Sequence, residues 1–112
     1  LIAGGWDGTS VLATSENYSA SAGTLSAGAT MNVARRDFGL IHSPAATDPF
    51  AETWIALGGF DGTNPLASVE ALSVGIWMGK ANMPTARRGN SYVSMGGGNV
   101  LAVGGWTTAT GT

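Results

Sequence analysis

Four of the five basic side chains in this 112-residue sequence sit in two pairs, Arg35-Arg36 and Arg87-Arg88, each closing a Met-x-x-Ala-Arg-Arg segment. A guanidinium is a planar fork of donors suited to carboxylates and loop carbonyls. Two matching segments, Trp6-Asp7-Gly8-Thr9 and Phe60-Asp61-Gly62-Thr63, supply aromatic rings and carboxylates. Arginine and aromatic rings dominate the energetics of recognition surfaces, so the chemistry on offer is binding. Two assignments are open. In one, Arg36, Arg88, Trp6 and Phe60, with Asp7, Asp61 and Asp37, contact a ligand. In the other, Arg35 and Arg87 brace the fold against carbonyls or a carboxylate such as Glu16 or Glu70, and the aromatics cover their neighbours.

Other chemistries lack their residues. Cysteine is absent and His42 is the single histidine, so these residues offer no thiolate site and no cysteine nucleophile. His42 with Asp48 and Glu52 is at most a bare minimum for a metal, which needs three or four converging ligands. The Asp-Gly-Thr segments lack the run of acidic ligands of a calcium loop and read as β-turns. There is no Gly-x-Ser-x-Gly elbow and no phosphate loop. Asn17-Tyr18-Ser19 is a glycosylation acceptor pattern, with little weight in a segment that reads as a strand. The expectation is no catalytic residue, no cofactor and no metal.

These residues recur in order, so the elements that hold them must recur too. Apolar runs end in Gly4-Gly5, Gly58-Gly59 and Gly104-Gly105, and each doublet is followed by an aromatic: Trp6, Phe60 and Trp106. Leu12-Ala13 matches Leu66-Ala67 and Glu16 matches Glu70 at the offset of Trp6 to Phe60. Leu25 then matches Trp77, and Ala34-Arg35-Arg36 matches Ala86-Arg87-Arg88, at an offset shortened by two. The first unit carries an insertion in 43–53. In the second, extended stretches are predicted over 54–57, 67–73, 75–78 and 90–95. The first should be buried on both faces, the second half-exposed, and the third, around Trp77, an edge. No helical period or cap pattern is present.

The order of apolar run, Gly-Gly, Glu, Trp, Met and Arg resembles the kelch repeat. Gly58-Gly59, Glu70, Trp77, Met83 and Arg87 carry the resemblance in one unit; Gly4-Gly5, Glu16-Asn17-Tyr18, Met31 and Arg35 carry it in the other. Gly23-Thr24-Leu25-Ser26 is similar to the Gly-Thr-Trp-Ser of bacterial kelch proteins. Leu25 and Leu72 stand where the family has Trp and Tyr. The resemblance implies an all-β fold, a partial β-propeller of four-stranded antiparallel blades: residues 1–36 part of a first blade, 37–88 a second repeat unit, 89–112 the start of a third. It also implies that Trp77 fills the wedge between blades, and that 32–37 and 83–89 meet 6–10 and 60–65 on one face, where such proteins often hold a partner.

Closure of a propeller takes roughly four to eight blades. About two are therefore expected to need further blades, in the same chain or in other subunits. The sequence opens without Met and reads as a processed product or a piece of a longer chain. The net charge of −2 argues against nucleic acid, which needs a broad basic surface, and no apolar run suits a membrane helix. The expected function is a non-catalytic module gripping a protein or glycan through its loops; the Ser/Thr/Gly-rich surface suits a secreted or surface-exposed setting. The alternatives are a structural subunit assembling through blade edges into a ring, fibre or shell, and a non-catalytic segment of a galactose-oxidase-like enzyme.

Overall fold

The computed structural model describes residues 1–43, 54–96 and 99–110. The described residues are all-β, in three antiparallel sheets. The first contains β1 (Ile2–Ala3), β2 (Ser15–Ser19) and β3 (Thr24–Ala27). The second is a four-stranded meander of β4 (Gly39–His42), β5 (Trp54–Leu57), β6 (Val69–Ser73) and β7 (Ile76–Lys80). The third pairs β8 (Ser91–Gly96) with β9 (Asn99–Val103). Most of the 43–53 insertion, with Asp48, Phe50 and Glu52, lies outside the described residues.

The repeat in sequence is a repeat in register. Ile2 faces Glu16 and Glu16 faces Ala27 in the first sheet; Ala56 faces Glu70 and Glu70 faces Gly79 in the second. The Gly-Gly doublet turns the chain out of each apolar strand: Gly58 and Gly59 have φ of 62° and 99°, a region that side chains avoid. A Cβ on Gly59 would also stand 2.6 Å from the Arg36 carbonyl oxygen, so the doublet is required twice over.

Two expectations need correction. The stretch expected at 90–95 as the fourth strand of the second unit pairs with β9 in the third sheet, and the four-stranded sheet is completed instead by Gly39–His42. A meander pairs each strand with its sequence neighbour, so β4 joins β5 and β8 joins β9. Burial on both faces holds only in the middle: Ala56 and Leu57 are buried, whereas Ile2, Leu101 and Val103 are exposed. The edge position of Trp77 is observed, and the ring is buried at 4% exposure.

The core lies between the first two sheets. Met31, Ala56 and Trp77 form its centre, with Ala3, Ala29, Phe38, Leu40, Trp54 and Leu72 packed around it. The Trp77 indole N–H donates to the Ala29 carbonyl at 3.2 Å, so the ring fills the space and fastens the neighbouring segment. Tyr92 joins the second and third sheets. Its ring occupies the volume that a Cβ on Gly39 would need, and its hydroxyl lies against Gly58. Burial pushes its phenol above the ordinary range, opposed in part by the neighbouring Asn90 side chain.

Candidate functional site

The two members of each arginine pair do different work, and the backbone separates them. The Arg35 carbonyl accepts from the Gly5 N–H of its own unit, while Arg36 exchanges two backbone bonds with Phe60 of the next, at 3.0 and 2.8 Å. Gly59 and Arg87, and then Arg88 and Trp106, repeat the arrangement. Each pair thus bridges adjacent sheets, and alternate side chains go to opposite sides of the bridge.

Arg35 goes inward and is fully buried, as is Glu70 at 2% exposure. Its Nη1 donates to the carbonyls of Gly58 (2.8 Å) and Ser68 (3.0 Å); its Nη2 donates to the Ser68 hydroxyl (3.1 Å) and a Glu70 oxygen (2.9 Å). Glu70 also accepts the backbone N–H groups of Asn32 (2.6 Å) and Val33 (3.0 Å) and the Asn32 amide (2.9 Å). These donors offset the cost of burying a polar side chain. Arg35 thus ties two loop carbonyls, the Ser68 hydroxyl and Glu70 together. Glu70 was expected on a half-exposed strand, and is buried because Arg35 neutralises it. Arg87 makes the corresponding bond to the Gly104 carbonyl at 2.8 Å. Glu16, at Glu70's register position, is exposed.

Arg36 and Arg88 go the other way and create a row. The Arg36 guanidinium carbon lies 5.3 Å from the Trp6 ring centroid and 5.1 Å from that of Phe60; Arg88 lies 4.4 Å from Phe60 and 5.0 Å from Trp106. The order across the three sheets is Trp6, Arg36, Phe60, Arg88, Trp106. Each contact is within the range of cation–π attraction. The middle is closed, with Phe60 and Arg88 buried, and the outer rings are open, with Trp6 at 50% and Trp106 at 54% exposure. Phe60, expected as an exposed aromatic, is covered by the two guanidinium groups.

The carboxylates divide as well. Asp37 reaches Arg88 at 3.5 Å, and Arg88 also donates to the Ala109 carbonyl. Arg36 has neither: its side chain makes no hydrogen bond or ion pair among the described residues, and its Nε, like those of Arg35 and Arg88, is buried without an acceptor there. Asp7 accepts the N–H groups of Thr9 and Ser10 at 2.8 and 2.7 Å, and Asp61 those of Thr63 and Asn64, both at 2.7 Å. The N–H bonds of Ser10 and Asn64, then those of Thr9 and Thr63, hold the two carboxyls below their ordinary value. Both Asp-Gly-Thr segments are turns, and among the described residues no three His, Cys, Asp or Glu side chains converge as metal ligands.

Sequence reasoning missed two participants. Trp106 completes the row, and its signal was the aromatic after the third doublet. Asn32 caps Glu70, but Pro84 stands at the matching position, so the repeat gave no hint of it. No family model matches the chain, and no curated protein matches it.

Proposed function

We propose that the sheets are kelch-type propeller blades and that the protein is a binding module, taking a protein or glycan partner on the face that carries the aromatic–arginine row. Equal registers in successive sheets, Gly-Gly turns and an arginine bracing each sheet to the next support the blade reading. The observation that carries the binding reading is the row itself: Trp6 and Trp106 are half-exposed rings, and the Arg36 side chain between them has no polar partner among the described residues. Rigid rings offer contact area at low entropic cost, and a guanidinium without a counterion gains a charge-assisted bond, worth roughly 1.5–3 kcal/mol, when it meets an acceptor.

Indole N–H resonances test this directly. A panel of neutral oligosaccharides, uronic-acid oligosaccharides and acidic decapeptides is titrated into labelled protein. A ligand of the row shifts Trp6 and Trp106 and leaves Trp77, hydrogen-bonded in the core, unmoved; Arg36→Ala removes the response. Shifts confined to Trp54 or Trp77, or a response intact in Arg36→Ala, would overturn the assignment.

A further inference from the structure

We propose that the partner of this face is a glycan carrying a sugar carboxylate, that Arg36 takes the carboxylate, and that Asp61 is the positioning residue that keeps Arg36 available. The inference rests on the binding reading above and narrows it to one ligand class. It comes from a difference between two equivalent turns, both within the described residues. Arg36 pairs with Phe60, which opens the 60–64 turn, as Arg88 pairs with Trp106, which opens the 106–110 segment. Arg88 donates to the Ala109 carbonyl of that segment. Counted from the two rings, the matching carbonyl is that of Thr63, and Arg36 makes no bond to it. The cause is local. Asp61 accepts the N–H groups of Thr63 and Asn64, both at 2.7 Å, and its own N–H donates to the Asn64 carbonyl at 3.1 Å, so this turn closes on itself. Thr107 stands at the position of Asp61 and has no carboxylate to do the same, so the second segment folds onto its guanidinium instead.

Trp6 and Phe60 attract the Arg36 cation at 5.3 and 5.1 Å, but a ring does not accept from the planar fork as a carboxylate does. Arg36 is partly exposed, so an incoming carboxylate can reach it. The surrounding charges select what carries that group. Asp7 and Asp61 follow the two rings in sequence, Asp37 follows Arg36 itself, and all three are exposed. A ligand with many acidic groups, such as an acidic peptide, meets them as like charges. A neutral glycan leaves Arg36 unmatched. A sugar acid brings one carboxylate for the guanidinium and hydroxyl groups that can donate to the neighbouring carboxylates. Uronic and sialic acids share this chemistry.

The test follows the Trp6 indole resonance while labelled protein is titrated with tri-galacturonic acid, its methyl ester, sialyllactose, lactose and an acidic decapeptide. Acid and ester differ in charge, so their affinity ratio reads the proposed contact; sialyllactose against lactose does the same for sialic acid. A ratio of about tenfold or more is expected in at least one pair, the worth of one charge-assisted bond, and the pair that shows it assigns the sugar acid. Arg36→Gln should bring the ratio close to unity. Asp61→Asn keeps an oxygen for the Thr63 and Asn64 N–H groups and should preserve the ratio. Asp61→Ala frees the turn to close on Arg36 and should lower the ratio severalfold. A ratio near unity in both pairs, a decapeptide that binds more tightly than either sugar acid, or equal ratios in Asp61→Ala and Asp61→Asn overturns the proposal. Neutral glycans that shift Trp6 as strongly, and lose that effect in Arg36→Ala, would leave the row standing as a site and remove its preference for acids. No shift from any ligand ends both readings.

Discussion

Arg35→Met separates a brace from a surface charge. The substitution keeps an unbranched side chain and removes four hydrogen bonds: two to carbonyls, one to the Ser68 hydroxyl and one to Glu70. Glu70 stays at 2% exposure with three donors left, all from Asn32 and Val33. Taking one partner from a buried ion pair costs about 3–5 kcal/mol, chiefly because the other charge is stranded. Small domains hold roughly 5–15 kcal/mol in total, so the variant should lose a large share of its stability. With a urea slope of about 1.5 kcal/mol per M, the midpoint should fall by about 2–3 M. Arg87→Met is the control at the same repeat position. The Arg87 side chain is half-buried and makes one hydrogen bond among the described residues, to Gly104, so its loss should cost about 1 kcal/mol. Pairing Arg35→Met with Glu70→Leu should recover part of the loss, because no charge is left buried. Equal losses at Arg35 and Arg87, or a cost below about 1 kcal/mol at Arg35, would refute the idea that this clamp joins the first two sheets.

Trp77→Ala should cost about 3–5 kcal/mol by denaturation, and Trp77→Phe distinctly less, since the ring volume remains and only the bond to Ala29 is lost. Val74 has φ of 49° and is 66% exposed in the tight turn between β6 and β7; Val74→Asn suits that conformation and should raise stability by roughly 0.5–1 kcal/mol. Gly39→Ala should destabilise by driving a methyl group into the Tyr92 ring, and Gly39→Ala with Tyr92→Ala should recover part of that steric loss in the same melts. The pH dependence has a sign at each end. Asp7 and Asp61 have lowered folded values, so their contribution is present above the ordinary carboxylate range and disappears as pH falls through the folded values. Tyr92 has a raised value, so stability falls as pH climbs from the ordinary phenol value of about 10 toward the folded one. Acid and alkaline melts of Asp61→Asn and Tyr92→Phe should show these slopes flattened.

Three of the four strands of the second sheet, β5, β6 and β7, were legible because their signals are local. Trp54–Leu57 is an uninterrupted apolar run closed by two glycines, and Trp77 marks an edge whose inner side must be filled. The meeting of Arg36 with Trp6 and Phe60 was also accessible, since alternating strand directions bring those loops to one end. Which sheet owns a strand was not legible. The repeat fixes the order of stretches but not the point at which hydrogen bonding breaks, and 90–95 reads equally well as the end of one sheet or the start of the next. The burial of Glu70 was hidden for a different reason. Glu16 and Glu70 are identical in pattern, and only the presence of 31–36 across one of them decides that it is inside.

That difference bears on how the units cohere. If each sheet held all the strands of one sequence unit, neighbours would meet only through side chains. Instead the segment from Met31 to Arg36 leaves the first sheet, places Met31 in the shared core, sets Arg35 on Glu70, exchanges backbone bonds with Phe60, and only then becomes β4 of the second sheet. The segment through Arg87 and Arg88 does the same toward Gly104 and Trp106 before β8 begins. Sequence repeat and hydrogen-bonded sheet are out of phase by one strand. The second sheet therefore cannot complete its first strand without the chain that has just braced it. Stability in such an array resides in the contacts between units as much as within them, and the buried arginine is placed where that dependence is greatest.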